Sequence, residues 1–244
     1  MKRGRFVIVL LSLLVLVPQA KALDKALAAL PFPKRLALAR AGDNLAKLAV
    51  GESYESGLGV RLSLVEAAKW YRQAALAGVL DAQYRLAQLI EKGAAGLKPD
   101  KEAALKLFQA AASKGHAPSQ LLYAQKLHRA DGVAKDDKAS AKWLHAAAEQ
   151  GLAVAQNDYG SMLLHGWGVE RNLDEAFKWF AKAADQNDLW AMNNLGGMYE
   201  QGWGTPKDQT KAVEQYQHAA AKGNEAARKN LERLGLAVPA LGRL

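Results

Sequence analysis

Large apolar side chains come in adjacent pairs along this chain, at Trp70 and Tyr71, Leu107 and Phe108, Trp143 and Leu144, and Trp179 and Phe180, with Gln215 and Tyr216 as a half-polar fifth. Shortly after each pair stand two alanines: Ala74 and Ala75, Ala111 and Ala112, Ala147 and Ala148, Ala183 and Ala184, Ala219 and Ala220. Small side chains at every one of these positions predict that neighbouring helices approach closely there, since an exposed helix face mixes in Glu, Lys and Gln. A third mark keeps the same interval: Ala46, Ala82, Ser119, Ala155, Ala191 and Ala227 are 36, 37, 36, 36 and 36 residues apart. The pattern predicts five tandem units, each too small to bury its own apolar face and therefore stacked on the next.

Start and stop signals divide each unit into two helices. Ser63, Asp100, Asp136, Asn172 and Asp208 stand where a side chain would accept a hydrogen bond from the free amides that open the second helix. Gly78, Gly115, Gly151, Asn187 and Gly223 stand where that helix ends, and Asn is the residue that best replaces Gly in a left-handed conformation. The 37-residue unit carries its extra residue in a turn, "GAAG" at Gly93–Gly96, where other units have three-residue turns such as "GLG" at Gly57–Gly59. An insertion at a turn leaves helix register intact.

The ends of the array follow the same frame. Gly42 lies 36 residues before Gly78, so residues 34–41 read as a lone second helix. Ala227 to Leu234 starts one more first helix, which Gly235, Val238 and Pro239 stop, as terminal caps require. The predicted architecture is all-α: a solenoid of about five helix-turn-helix repeats at 46–81, 82–118, 119–154, 155–190 and 191–226. A lead-in and half-repeat at 23–45 precede it, and a capping helix and tail at 227–244 follow.

The first 22 residues read differently. Lys2, Arg3 and Arg5 precede an apolar run, Phe6 to Val17, and the tripeptide Ala20-Lys21-Ala22, which is the pattern of a secretory signal peptide cleaved after Ala22. The run would rise only about 18 Å as a helix, against roughly 30 Å of hydrocarbon in a bilayer. The protein is accordingly expected in the periplasm or outside the cell, with no transmembrane segment after cleavage. Without these residues the formal charge of +9 shrinks to 29 Lys and Arg against 24 Asp and Glu. Both signs are interspersed along every helix, which speaks against nucleic-acid binding. Half the residues are hydrophobic, enough for a sizeable core, and much of that half is alanine, which favours helix over sheet. The absence of cysteine removes disulfides, thiol nucleophiles, thiolate metal sites and lipidation of a terminal cysteine.

The stretch "VGESYESGLGVRLSLVEAAKWYRQAALAGVLDA" at Val50–Ala82 resembles the Sel-one-like repeat, a relative of the tetratricopeptide repeat. The matching pattern is LG-x-x-Y, G-x-G-V, KA-x-x-WY-x-KAA and G-x-x-x-A, strongest in repeats one and four. Repeat five has Gln215 where Trp is usual, repeat two has the longer turn, and repeat three has Ala130 for the first turn Gly and Ser140 for an Ala. The resemblance spans roughly residues 34–234 and implies a right-handed α-superhelix that acts as an adaptor for other proteins. Exported bacterial members look like envelope scaffolds, regulators of membrane sensors, flagellar-motor accessories or host-interaction factors. A cysteine-rich secreted branch of the family is credited with β-lactam binding or hydrolysis, and a chain without cysteine departs from it.

Catalytic signatures are missing from the sequence: there is no H-E-x-x-H, no G-x-S-x-G, no Walker A, and no strand to present a G-x-G-x-x-G. His116, His128, His145, His165 and His218 fall at no metal-ligand spacing. No enzyme, cofactor or metal is therefore expected. The expected function is a scaffold for a protein or peptide partner in the cell envelope, the alternative being an envelope protein that binds or hydrolyses peptidoglycan or β-lactams. Tetratricopeptide geometry, applied to the first helices, implies a partner-reading set of Tyr84, Gln88, Gln125, Arg129, Asn157, Ser161, His165, Asn193 and Glu200. These are either a peptide-binding surface, with Arg129, Asn157 and Asn193 central, or simply solvated side chains. Trp167 and Trp203, in Gly-Trp-Gly turns, either fold down as lids on helix ends or join Trp190 in an exposed aromatic ridge that offers a partner hot-spot anchors.

Overall fold

The computed structural model describes residues 26–93 and 98–242, so the signal-peptide segment and residues 94–96 of the "GAAG" turn lie outside the described residues. A helical turn at 26–29 precedes twelve helices, and no strand occurs among the described residues. The chain divides into two compact units, Met1–Leu107 and Phe108–Leu244. The first holds α1 (Phe32–Arg40), α2 (Asn44–Ser56), α3 (Leu64–Leu76) and α4 (Leu80–Lys92), with α5 (Lys101–Ser113) straddling the boundary. The second holds α6 (Ala117–Arg129), α7 (Asp137–Glu149), α8 (Ala153–His165), α9 (Leu173–Asp185), α10 (Leu189–Gln201), α11 (Gln209–Ala221) and α12 (Glu225–Arg233). Within the first unit α1 to α4, and within the second α6 to α12, each helix packs on the next in the chain.

The five capping side chains behave as their chemistry requires. Ser63, Asp100, Asp136, Asn172 and Asp208 accept from the amides of Glu66, Ala103, Ala139, Glu175 and Lys211, each three residues ahead. All five stop positions adopt positive φ, from 67° at Asn187 to 96° at Gly223. The first helices end on a left-handed residue too, and at Ala130 (φ 57°) that conformation falls on a residue with a Cβ. The half-repeat is α1, and the extra first helix is α12, whose opening amides are capped by Asn224.

None of the ten paired alanines is more than 7% exposed, which puts every one in the interface between helices. The second member of each large pair, Tyr71, Phe108, Leu144, Phe180 or Tyr216, is buried. In the second unit two of these rings rest on glycines of the preceding first helix. A Cβ added at Gly160 would stand 2.9 Å from the Phe180 ring, and one at Gly196 would stand 2.7 Å from the Tyr216 ring. The glycine is what lets helix and ring approach that closely.

Candidate partner-binding site

The first helices of the second unit, α6, α8, α10 and α12, are tied side to side by polar side chains. Gln125 Nε2 donates to Asp158 Oδ2 at 2.8 Å, Asn194 Nδ2 to Asn157 Oδ1 at 2.9 Å, and Asn230 Nδ2 to Asn193 Oδ1 at 2.9 Å. Asn157 Nδ2 closes the chain on Asp158 Oδ1 at 3.3 Å. Burial pushes the Asp158 carboxyl above the ordinary carboxylate range, although the hydrogen bonds from Gln125 and Asn157 and the charge of Arg129 pull the other way. A second set of amides spans the repeats at the other helix ends. Gln120 and Gln156 donate to the carbonyls of Ala112 and Ala148, and accept from Gln150 and Gln186. In the first unit Gln83 likewise donates to the Ala75 carbonyl.

At the C-terminal end of this face, Glu200 Oε2 accepts from Arg233 Nη2 at 2.7 Å and from Tyr216 Oη at 2.9 Å. The hydrogen bond from Arg233 holds the Glu200 pKa below its ordinary value, outweighing the opposing effect of burial. Burial and that same carboxylate push the Tyr216 hydroxyl up. A cavity of about 250 Å³ opens beside the pair, walled by Leu164, Met198 and Trp203 and by the side-chain amides of Asn193, Asn194 and Asn230.

The structure redistributes the expected partner-reading set. Arg129 and His165 are exposed. Asn157 and Glu200 are not available as expected, because both are buried and Asn157 Oδ1 and Nδ2 and Glu200 Oε2 are engaged within the protein. Gln125 is likewise engaged by Asp158, Ser161 Oγ donates to the Asn157 backbone carbonyl, and the Asn193 side-chain Oδ1 accepts from Asn230. Tyr84 and Gln88 sit in the first unit, where Gln88 Nε2 donates to Tyr84 Oη. Asp158, Asn194, Asn230 and Arg233 are the residues the sequence reading missed. Three of them, Asp158, Asn194 and Asn230, recur at the 36-residue interval.

The three tryptophans are exposed, Trp167 by 42%, Trp190 by 60% and Trp203 by 40%, so none is a closed lid. They do not form one ridge. Trp190 is the second residue of α10 and Trp203 follows its last turn, which separates their backbones by about 20 Å along the helix axis at 1.5 Å per residue. Trp167 packs on His165 at 4.3 Å between ring centroids and on His128 at 5.1 Å, while His128 Nδ1 lies 2.7 Å from Asp137 Oδ1. Among the described residues, no group of three or more His, Cys, Asp or Glu is placed to hold a metal ion.

A family model, the Sel1 repeat, matches residues 45–79, 80–116, 117–152, 153–188 and 191–224. Among solved structures, c5321, a protective antigen present in uropathogenic Escherichia coli strains and displaying an SLR fold, is 30% identical with a TM-score of 0.77 over 86% of this chain. The chain spans only 45% of that protein. A Sel1 repeat protein from Oxalobacter formigenes is 29% identical with a TM-score of 0.73, covering 80% of this chain and 79% of its own. The immunity protein Pa5087 from Pseudomonas aeruginosa, 21% identical with a TM-score of 0.53 over 86% of this chain and 84% of its own, shares the fold. No curated protein shows significant similarity to the chain. Sel1 repeats are generally non-catalytic scaffolds for protein–protein interaction, and with five matched copies along an all-α repeat fold the chain belongs to the Sel1 repeat family.

Proposed function

We propose that the protein is an exported, non-catalytic scaffold of the bacterial cell envelope that holds a protein partner on the first-helix face of its second unit. The observation that carries this reading is the combination of a hydrogen-bonded floor with an open cavity at its end. Gln125, Asp158, Asn157 and Asn194 lock neighbouring repeats, so the exposed Arg129, Gln201, Trp203 and Arg233 stand on a surface that loses little freedom on binding. An exposed tryptophan beside an arginine and side-chain amides is the composition of an interface anchor. Export rests on the basic and apolar pattern of residues 1–22. It accords with this that one similar protein is a protective antigen. No helix among the described residues is long and apolar enough to cross a membrane.

The test combines two measurements in intact cells. N-terminal sequencing of the periplasmic fraction should find the chain beginning at Leu23. A photo-crosslinking residue placed at Gln201 should trap one defined protein, and the same residue at Leu76, 84% exposed in the first unit, should not. A chain retained in the cytoplasm with Met1 intact, or equal trapping at both positions, overturns the reading.

A further inference from the structure

We propose that the cavity beside Glu200 captures the C-terminal residue of a partner polypeptide, with its α-carboxylate on Arg233 and its apolar side chain against Trp203 and Leu164. This inference deepens the scaffold reading and rests on it. The cavity of about 250 Å³ is the volume of roughly eight liquid waters, room for one amino-acid residue. Its accessible charge is positive. The side chain of Glu200 is only 10% exposed and already accepts from two donors, whereas that of Arg233 is 52% exposed. Lys207 lies near enough to act on Glu200 as well, so the three charges leave one positive charge in excess.

The hydrogen-bonding valences around the cavity are those a chain end would complete. Arg233 uses Nη2 on Glu200 and interacts with the Tyr216 hydroxyl as well, while a guanidinium carries five N–H donors. Asn193 has spent its oxygen on Asn230 and keeps its NH₂ group as a donor, while Asn230 has spent its nitrogen and keeps its oxygen as an acceptor. A C-terminal residue presents a carboxylate and an amide N–H on the two sides of one Cα, matching two kinds of donor and one acceptor within a single residue's reach. Leu164, Met198 and the Trp203 ring supply the apolar wall for its side chain. An internal Asp or Glu offers the same carboxylate. It also requires two exits for the chain, where a terminus requires one, and it brings no apolar side chain of its own to the wall.

The probes are fluorescein-labelled Gly-Ser-Gly-Ser-Leu as the free acid, its C-terminal amide, and an amidated peptide with an internal glutamate, titrated by fluorescence anisotropy against chain 23–244. The free acid should bind at least about tenfold more tightly than either amidated peptide. Trp203→Ala, in an exposed turn, and Arg233→Gln should each weaken the free acid by about tenfold, whereas Arg72→Gln, exposed in the first unit, should leave it unchanged; circular dichroism of each variant separates lost binding from lost fold. Equal binding of acid and amide, capture of the glutamate peptide alone, or no binding of any peptide overturns the inference. If no peptide binds while crosslinking at Gln201 still traps a protein, the pocket assignment fails and the scaffold reading stands.

Discussion

Ala130 adopts φ 57° where the corresponding turns after α2, α4, α8 and α10 use Gly57, Gly93, Gly166 and Gly202. The left-handed region costs a residue with a Cβ about 1–2 kcal/mol, and glycine's extra freedom in the unfolded chain returns about 0.5–1 kcal/mol of that. Ala130→Gly should therefore stabilise the protein by about 0.5–1 kcal/mol, read as a higher urea midpoint at unchanged slope. A lower midpoint would mean that the Ala130 methyl makes a contact worth more than its backbone strain. Most of the local chemistry was legible at this scale, because caps and left-handed stops depend on residues only a few positions apart. The five capping residues and Asn187 needed no knowledge of the rest of the fold.

At the scale of helices, the polar side chains along α6, α8, α10 and α12 changed meaning between sequence and structure. Asn157 and Glu200 read as surface residues in the repeat frame because polarity is all a sequence shows. Their burial follows from how near the next first helix lies, which brings Asn194 onto Asn157 and Arg233 onto Glu200. The Glu200 pair makes a pH prediction. A carboxyl whose folded pKa is depressed adds stability above its unfolded value, about 4.3, and that stability is lost as pH falls through the lower folded value. The wild type should lose part of its stability below about pH 4 for this reason. Glu200→Gln should be less stable at pH 7 and show a shallower acid limb in denaturant titrations. An acid limb as steep as that of the wild type would assign the loss to other carboxylates.

At the scale of the whole molecule, a repeat protein is only as sound as its ends. Helix α12 closes the second unit with Ala227 and Leu231 fully buried, and with Asn224, Asn230 and Arg233 bonded to α10. Ending the chain at Asn224 should lower stability by about 2–4 kcal/mol, since burying one leucine side chain is worth about 1.5–3 kcal/mol before the polar contacts are added. The uncovered alanine-lined face should also associate with itself in sedimentation velocity. A monomer of unchanged melting temperature would show that α11 suffices as a cap.

The repeat interval, the two helices per repeat, the close-packed alanines and the terminal half-repeats were all determined by the sequence alone. Each is a short-range rule applied five times, and repetition lets weak local signals reinforce one another. The tertiary structure decided which polar residues face solvent and which face a neighbouring helix. It also placed Trp190 and Trp203 at opposite ends of α10 and gathered Asn193, Asn230, Trp203 and Arg233 around one cavity. Those relations join residues up to 40 positions apart. They depend on the distance and rotation between stacked repeats, quantities set by side-chain volumes across the whole interface and written at no single position in the chain.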